Sequence, residues 1–202
     1  MRALSCALVA ASLVVAPAMA APQIGQPAPN FRLTDVNGRA VSLSDFRGKT
    51  VVIEWNNPEC PFVRKHYGSG NMQKTQAAAK KEGVVWLSIN SSAPGKQGHM
   101  NAAQAKEVVA AQKAQPTAYL LDPDGAVGKT YDAKTTPHMY IFNKSGALVY
   151  AGGIDDKPTP NPADVNGARN HVLAALAELK AGKAVSVPTS RPYGCSVKYK
   201  DS

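Results

Sequence analysis

Residues 51–67, VVIEWNNPECPFVRKHY, hold a nearly continuous apolar run, a polar turn and the start of a helix. The run TVVIEW at residues 50–55 has the character of a strand covered on both faces. It ends at Trp55, and Asn56, Asn57 and Glu59 make the turn. Cys60 then stands at the helix start with Pro61 after it, and proline suits a first helical position because its missing N–H costs nothing there. A helix N-terminus carries partial positive charge and free amides, both of which stabilise a thiolate. Arg64, Lys65 and His66 add positive charge within the first two turns. The Cys60 thiol is therefore predicted to have a lowered pKa. Its polar neighbours Asn56, Asn57 and Glu59 argue against deep burial, and so against a purely structural cysteine.

Outward from this stretch the chain alternates strands and helices. Residues 31–33 and 40–43 flank Asn37-Gly38, a hairpin signal. Residues 61–81 read as a helix with a weak point at Gly68-Ser69-Gly70. Residues 84–89, VVWLSI, read as a second buried strand, residues 101–114 as a helix and residues 118–121 as a short strand ending in the turn Asp122-Pro123-Asp124-Gly125. Residues 139–142 and 147–151 form a second hairpin. Residues 164–181 read as a last helix with Val172, Leu173, Leu176 and Leu179 on one face and Gly182 as its stop. This order implies a mixed α/β sheet sandwiched between helices.

The first residues have the form of an export signal. Arg2 gives a positive start, an apolar run covers residues 3–15, and small residues end at Ala20. Residues 1–20 are expected to be removed, leaving a domain over 24–181 and a tail over 182–202. The protein is then exported, periplasmic or secreted. Cys6 leaves with the signal, so two of the three cysteines remain, Cys60 and Cys195. In an oxidising compartment these form either one bridge or two working thiols. Loss of Arg2 takes the net charge from +9 to +8. Only two lysines, Lys80 and Lys81, adjoin, and no arginine cluster is interleaved with aromatics. The charge reads as a solvated basic face with no nucleic-acid partner. No run is long enough for stable membrane insertion. His66, His99, His138 and His171 lack metal-ligand spacing with either cysteine, so neither a metal nor another cofactor is expected.

The hairpin with LSDFRGK, the strand VVIEWN, the dipeptide Cys60-Pro61 and Thr136-Pro137 before MYIFN resemble the redoxin branch of the thioredoxin superfamily, which includes the alkyl hydroperoxide reductase and thiol-specific antioxidant (AhpC/TSA) proteins. The resemblance spans roughly residues 24–179. It implies a thioredoxin-like three-layer sandwich with an N-terminal β-hairpin extension. It also implies a cis-proline loop at Thr136 and Pro137 facing Cys60.

The chain departs from the pattern at three places. Val63 stands where thioredoxins carry a second cysteine, Asn57 where peroxiredoxins carry a threonine, and no arginine lies between Arg64 and Arg169. Lys134 and His138 are partial substitutes for the missing arginine, though neither has its planar fork. Some redoxins resolve the first cysteine with a distant C-terminal one. Cys195, in a glycine-containing and therefore mobile tail, is the matching candidate, and a permanent Cys60–Cys195 bridge is the structural alternative. Glu54 is a candidate proton carrier or else a sheet-edge or solvated glutamate, and His138 is a candidate thiolate stabiliser. Trp55, Asn57 and Pro61 are candidate substrate contacts, although for Trp55 packing beside the active loop is the leading reading and substrate contact the lesser one. The expected activity is thiol–disulfide exchange with a protein partner, with peroxide reduction second. A non-catalytic binding or assembly protein stapled by the two cysteines is the reading from another class.

Overall fold

The computed structural model describes residues 21–201. The expected export signal at residues 1–20 lies outside the described residues. Strands β1 (Arg32–Asp35), β2 (Ala40–Ser42), β3 (Val51–Trp55), β4 (Val85–Asn90), β5 (Ala118–Leu121), β7 (His138–Phe142) and β8 (Leu148–Gly152) form one seven-stranded sheet in the order β2-β1-β5-β4-β3-β7-β8. Two short strands, β6 (Thr135–Thr136) and β9 (Cys195–Ser196), pair separately. β3 runs parallel to β4 and antiparallel to β7, which makes the sheet mixed. Every residue of β3, β4 and β7 is buried, including the polar Glu54, Ser88, Asn90 and His138 among mainly apolar neighbours.

The alternation of side chains across the strands splits the interior into two layers. One face carries Val52, Trp86, Met139 and Ile141 beneath helices α1 (Pro61–Gly68), α2 (Asn71–Lys81) and α5 (His171–Lys180). Cys60 belongs to this layer. The same face meets α3 (Ala102–Ala111) at its β5 side, through Tyr119 and Ala105. The opposite face carries Ile53, Trp55, Leu87, Ile89, Leu120, Tyr140 and Phe142, closed by Tyr131 and by Val127 of α4 (Ala126–Thr130).

The weak point expected in the first long helix is a break. Ser69 ends α1, and Gly70 takes the left-handed conformation (φ 75°) before α2 starts. The last helix is shorter than its apolar pattern suggests. Residues Pro162–Val165 form a 3-10 turn, and Gly167 has φ 81°. Asn170 then caps α5 by accepting the Leu173 amide at 2.9 Å. Val172 and Leu176 are buried as expected, whereas Leu173 is exposed. The helix α4 went unread because five residues, AVGKT, carry no period.

Glu54 is neither at a sheet edge nor solvated. It sits in the middle of β3 and is fully buried. Its carboxylate accepts from Asn56 Nδ2 (2.8 Å), Tyr67 Oη (3.0 Å), Trp86 Nε1 (2.9 Å) and Ser88 Oγ (2.9 Å). Burial raises its pKa, and these four donors only partly oppose that. A folded-state pKa above the ordinary 4.5 means that the native protein holds the proton more tightly than the unfolded chain does. The contribution to stability is complete below the unfolded value and is lost as pH rises through the folded one. The stability of the wild type relative to Glu54→Gln should therefore fall from acid toward neutral pH. Urea unfolding across that range measures the difference, and a constant difference would refute the shift.

Candidate active site at the start of the first helix

The turn after β3 is built by its own polar residues. Asn56 is held by Ile89, whose carbonyl accepts its amide at 2.8 Å, and by Tyr119, whose hydroxyl donates to Asn56 Oδ1 at 2.9 Å. Asn57 accepts the Glu59 amide at 2.9 Å and donates to the Gln97 carbonyl at 3.3 Å. The Cys60 amide closes the turn on the Asn57 carbonyl at 3.0 Å. Cys60 is the N-cap of α1, with Pro61 in the first turn. Asn57 is buried and occupied in loop contacts, whereas Pro61 is exposed beside the thiol.

Across from Cys60 lies the cis peptide Thr136–Pro137. The Cys60 thiol donates to the Thr136 carbonyl at 3.0 Å, and the Cys195 amide donates to Cys60 Sγ at 3.4 Å. The tail reaches this point as strand β9, which pairs antiparallel with β6 so that Thr136 faces Cys195. Gly194 makes the approach possible. Its φ is 138°, and a Cβ there would lie 2.0 Å from the Thr136 carbonyl oxygen. Both cysteines are free thiols; Cys60 is fully buried, deeper than its polar neighbours suggested, because Asn56 and Asn57 turn inward to bond Tyr119 and the Gln97 carbonyl, and Cys195 is partly exposed.

The two thiols are unequal. Burial pushes the Cys60 pKa up, but the Cys195 thiol and the Val63 and Cys195 amides all donate to the charged sulfur, and the net result is a lowered pKa. Burial and the neighbouring Cys60 sulfur together push Cys195 up to about 11. Cys60 is the stronger thiolate and Cys195 its proton donor.

Several sequence expectations need correction here. The tail is docked along its length. The Ala151 amide donates to Pro188 at 3.0 Å, Val197 to Lys134 at 3.1 Å and Ala93 to Lys198 at 2.8 Å. His138 is on the wrong face of the sheet. Strand alternation points Met139 toward the Cys60 layer and His138 toward Tyr140, whose ring centroid is 4.5 Å away. Burial also lowers its pKa to about 4, so the ring is neutral near pH 7. Lys134 points to solvent, where it pairs with Asp132. The positive charge expected from α1 is largely absent at the thiol. Burial lowers His66 to about 4, and Lys65 is buried beside Asp155 at 3.8 Å. Arg64 donates to the Pro58 carbonyl at 3.1 Å. Trp55 is fully buried and donates to Ser91 Oγ at 3.1 Å, so it packs and offers no surface to a substrate. Glu54 bonds neither sulfur directly. Tyr193 was missed altogether. Its only sequence signal was an aromatic residue two places before Cys195.

Because the Cys195 thiol is the foremost group lowering the Cys60 pKa, Cys195→Ala, which removes the donor, should raise it. Titration of the thiolate ultraviolet absorbance in both proteins checks this, and an unchanged or lower value in the variant would contradict it.

Comparison with known proteins places this geometry. The AhpC/TSA family model matches residues 24–151. The thiol-disulfide oxidoreductase ResA of Bacillus thuringiensis subsp. konkukian is 26% identical over 127 residues, covering 63% of this chain and 68% of that protein. An uncharacterised conserved protein from Geobacillus kaustophilus has a crystal structure that superposes with a TM-score of 0.75 at 29% identity, covering 89% of this chain and 94% of that one. A secreted Mycobacterium tuberculosis disulfide oxidoreductase shares the fold, with a TM-score of 0.51 at 19% identity over 68% of this chain and 92% of that one. With a cysteine of lowered pKa at a helix start facing a cis-proline, and a family match over most of its length, the chain belongs to the AhpC/TSA family and is an oxidoreductase of thioredoxin-like fold.

Proposed function

We propose that this protein is an exported thiol–disulfide oxidoreductase in which Cys60 is the attacking thiolate and Cys195 its disulfide partner. The observation that carries the proposal is the approach of Cys195 to Cys60 at the cis-proline, with the amide 3.4 Å from the sulfur and the two pKa values pulled apart. The Cys60 thiolate attacks one sulfur of a substrate disulfide, forms a mixed disulfide and expels the other sulfur as a thiolate. Cys195 is a poor nucleophile while it hydrogen-bonds a charged Cys60. Once Cys60 is in a neutral mixed disulfide, that cause of its raised pKa is gone. Cys195 then loses its proton and attacks Cys60 Sγ. The remaining substrate thiol leaves, and the protein carries a Cys60–Cys195 disulfide. The substrate has gained two electrons, and an external dithiol returns the protein to its reduced state by the reverse exchange. Run backwards, the same steps oxidise a substrate dithiol.

Export rests on the charge and apolar pattern of residues 1–20 and suits a working disulfide. The partner is a protein thiol or disulfide that reaches the surface around Pro61 and Cys195. Glu54 bonds neither sulfur; its carboxylate meets α1 through the Tyr67 hydroxyl. Peroxide reduction is the weaker reading, because Arg64 is turned to the Pro58 carbonyl and His138 lies on the other face.

Reduction of insulin with dithiothreitol as electron source tests this function. Wild type should accelerate it, and Cys60→Ser should reduce the rate to background. Cys195→Ser should accumulate a mixed disulfide on Cys60, visible as an adduct by mass spectrometry without reductant. Hydrogen peroxide should be left largely unconsumed. Full activity in Cys60→Ser, or rapid peroxide turnover without disulfide exchange, would sink the proposal. A Cys60–Cys195 bridge with a reduction potential below about −300 mV would favour the structural staple instead.

A further inference from the structure

Tyr193 is buried although no helix or strand includes it. Its ring meets Phe62 edge-on at 5.9 Å and lies under the Lys65 ammonium, 5.5 Å from the ring centre. Its hydroxyl donates to Asp155 Oδ1 and lies 3.1 Å from His66 Nε2. Asn71 Nδ2 is 2.8 Å from the other ring nitrogen, Nδ1. With His66 neutral, the Asn71 amide donates to Nδ1, which leaves the proton on Nε2 to be donated to the tyrosine oxygen. The hydrogen bonds then run in one direction, Asn71 to His66 to Tyr193 to Asp155. Lys65 donates to the Lys157 carbonyl at 2.6 Å and faces Asp155 Oδ2 across 3.8 Å. Phe62, Lys65 and His66 all belong to α1, the helix that Cys60 caps. The pocket that grips Tyr193 is thus rigidly joined to the nucleophile.

The backbone pairing alone does not explain the register of the tail. β9 is two residues long, and an isolated pair of such strands has little stability of its own. Gly194 permits close approach to Thr136 but carries no side chain to hold it there. The anchor nearest to Cys195 on its N-terminal side is Tyr193. A free tether would present Cys195 at an effective concentration in the millimolar range, whereas oriented groups reach values many orders higher.

We infer that Tyr193 is a positioning residue for the Cys60–Cys195 exchange: seated among Phe62, Lys65, His66 and Asp155, it holds Cys195 against Cys60 and sets the rate at which the internal disulfide closes. The inference rests on the proposed pairing of the two cysteines.

An aromatic disulfide reagent, 5,5′-dithiobis(2-nitrobenzoate), separates the steps. Attack by Cys60 releases one coloured thiolate and leaves a mixed disulfide. Attack by Cys195 on Cys60 releases the second, with loss of the Cys195 proton, at a rate independent of reagent concentration. Tyr193→Ala should slow the second release by about tenfold or more, and by clearly more than it slows the first, which feels Cys195 only through the thiolate it stabilises. A smaller effect in folded Tyr193→Ala would overturn the inference. If that variant fails to fold, Tyr193→Phe decides. It keeps the ring and loses the hydroxyl bonds, so a slowing of about threefold or more is expected and a smaller one overturns the inference. Cys195→Ser should release one equivalent only. If wild type also stops at one, the pairing of the cysteines fails and the inference with it. If wild type releases two and the tyrosine variants match its rate, only the role of Tyr193 fails.

Discussion

Cys60 Sγ lies between a carbonyl and an amide that come from distant parts of the chain, Thr136 O at 3.0 Å and Cys195 N at 3.4 Å. The rest of the site depends on this crossing. The carbonyl holds the neutral thiol and the amide holds the thiolate, so the sulfur has a partner in either protonation state. The amide can be there only because the tail pairs with the cis-proline strand, and that pairing needs a residue without Cβ at position 194. A buried sulfur, a short ladder and a glycine are therefore one device.

The electrostatics of the site are local. Full charges play little part, since His66 is neutral near pH 7 and Lys65 is turned to Asp155 and the Lys157 carbonyl. The cap position of Cys60 and the two thiols themselves do most of the work. Hydrogen bonds to a charged acceptor contribute about 1.5–3 kcal/mol each, enough to outweigh the burial of a single sulfur. A thiolate set by short hydrogen bonds is also less sensitive to salt than one set by exposed cations.

The sheet was legible because β3, β4 and β7 are mainly apolar, and the position of Cys60 because a cysteine followed by proline at a strand end marks a helix start. The break at Gly70 was legible for the same reason that glycine tolerates positive φ. The orientation of His138 was not, because a residue next to the cis-proline is near Cys60 in sequence terms and still faces away once strand alternation is imposed. The docked tail was not legible either. Residues 183–194 lack any period, and their contacts are with single residues on β8, the loop after it, α1, α5 and β6. Lys65 misled most, since a lysine within two turns of a thiol suggests charge at the sulfur, and only the position of Asp155 shows where that charge goes.

Helix α1 is unusual in being fastened by polar groups as well as by Val63. Tyr67 fixes one end to the buried carboxylate of Glu54, and Lys65 and His66 fix the middle to Asp155 and Tyr193. Such hardware is a poor way to gain stability. A buried ion pair often does no better than apolar residues of the same size, although removing one partner costs about 3–5 kcal/mol. What it gives is directionality, because hydrogen bonds specify distance and angle where apolar contacts specify only proximity. A helix that places a sulfur within hydrogen-bonding reach of a segment 135 residues further along the chain needs that directionality more than it needs a larger core.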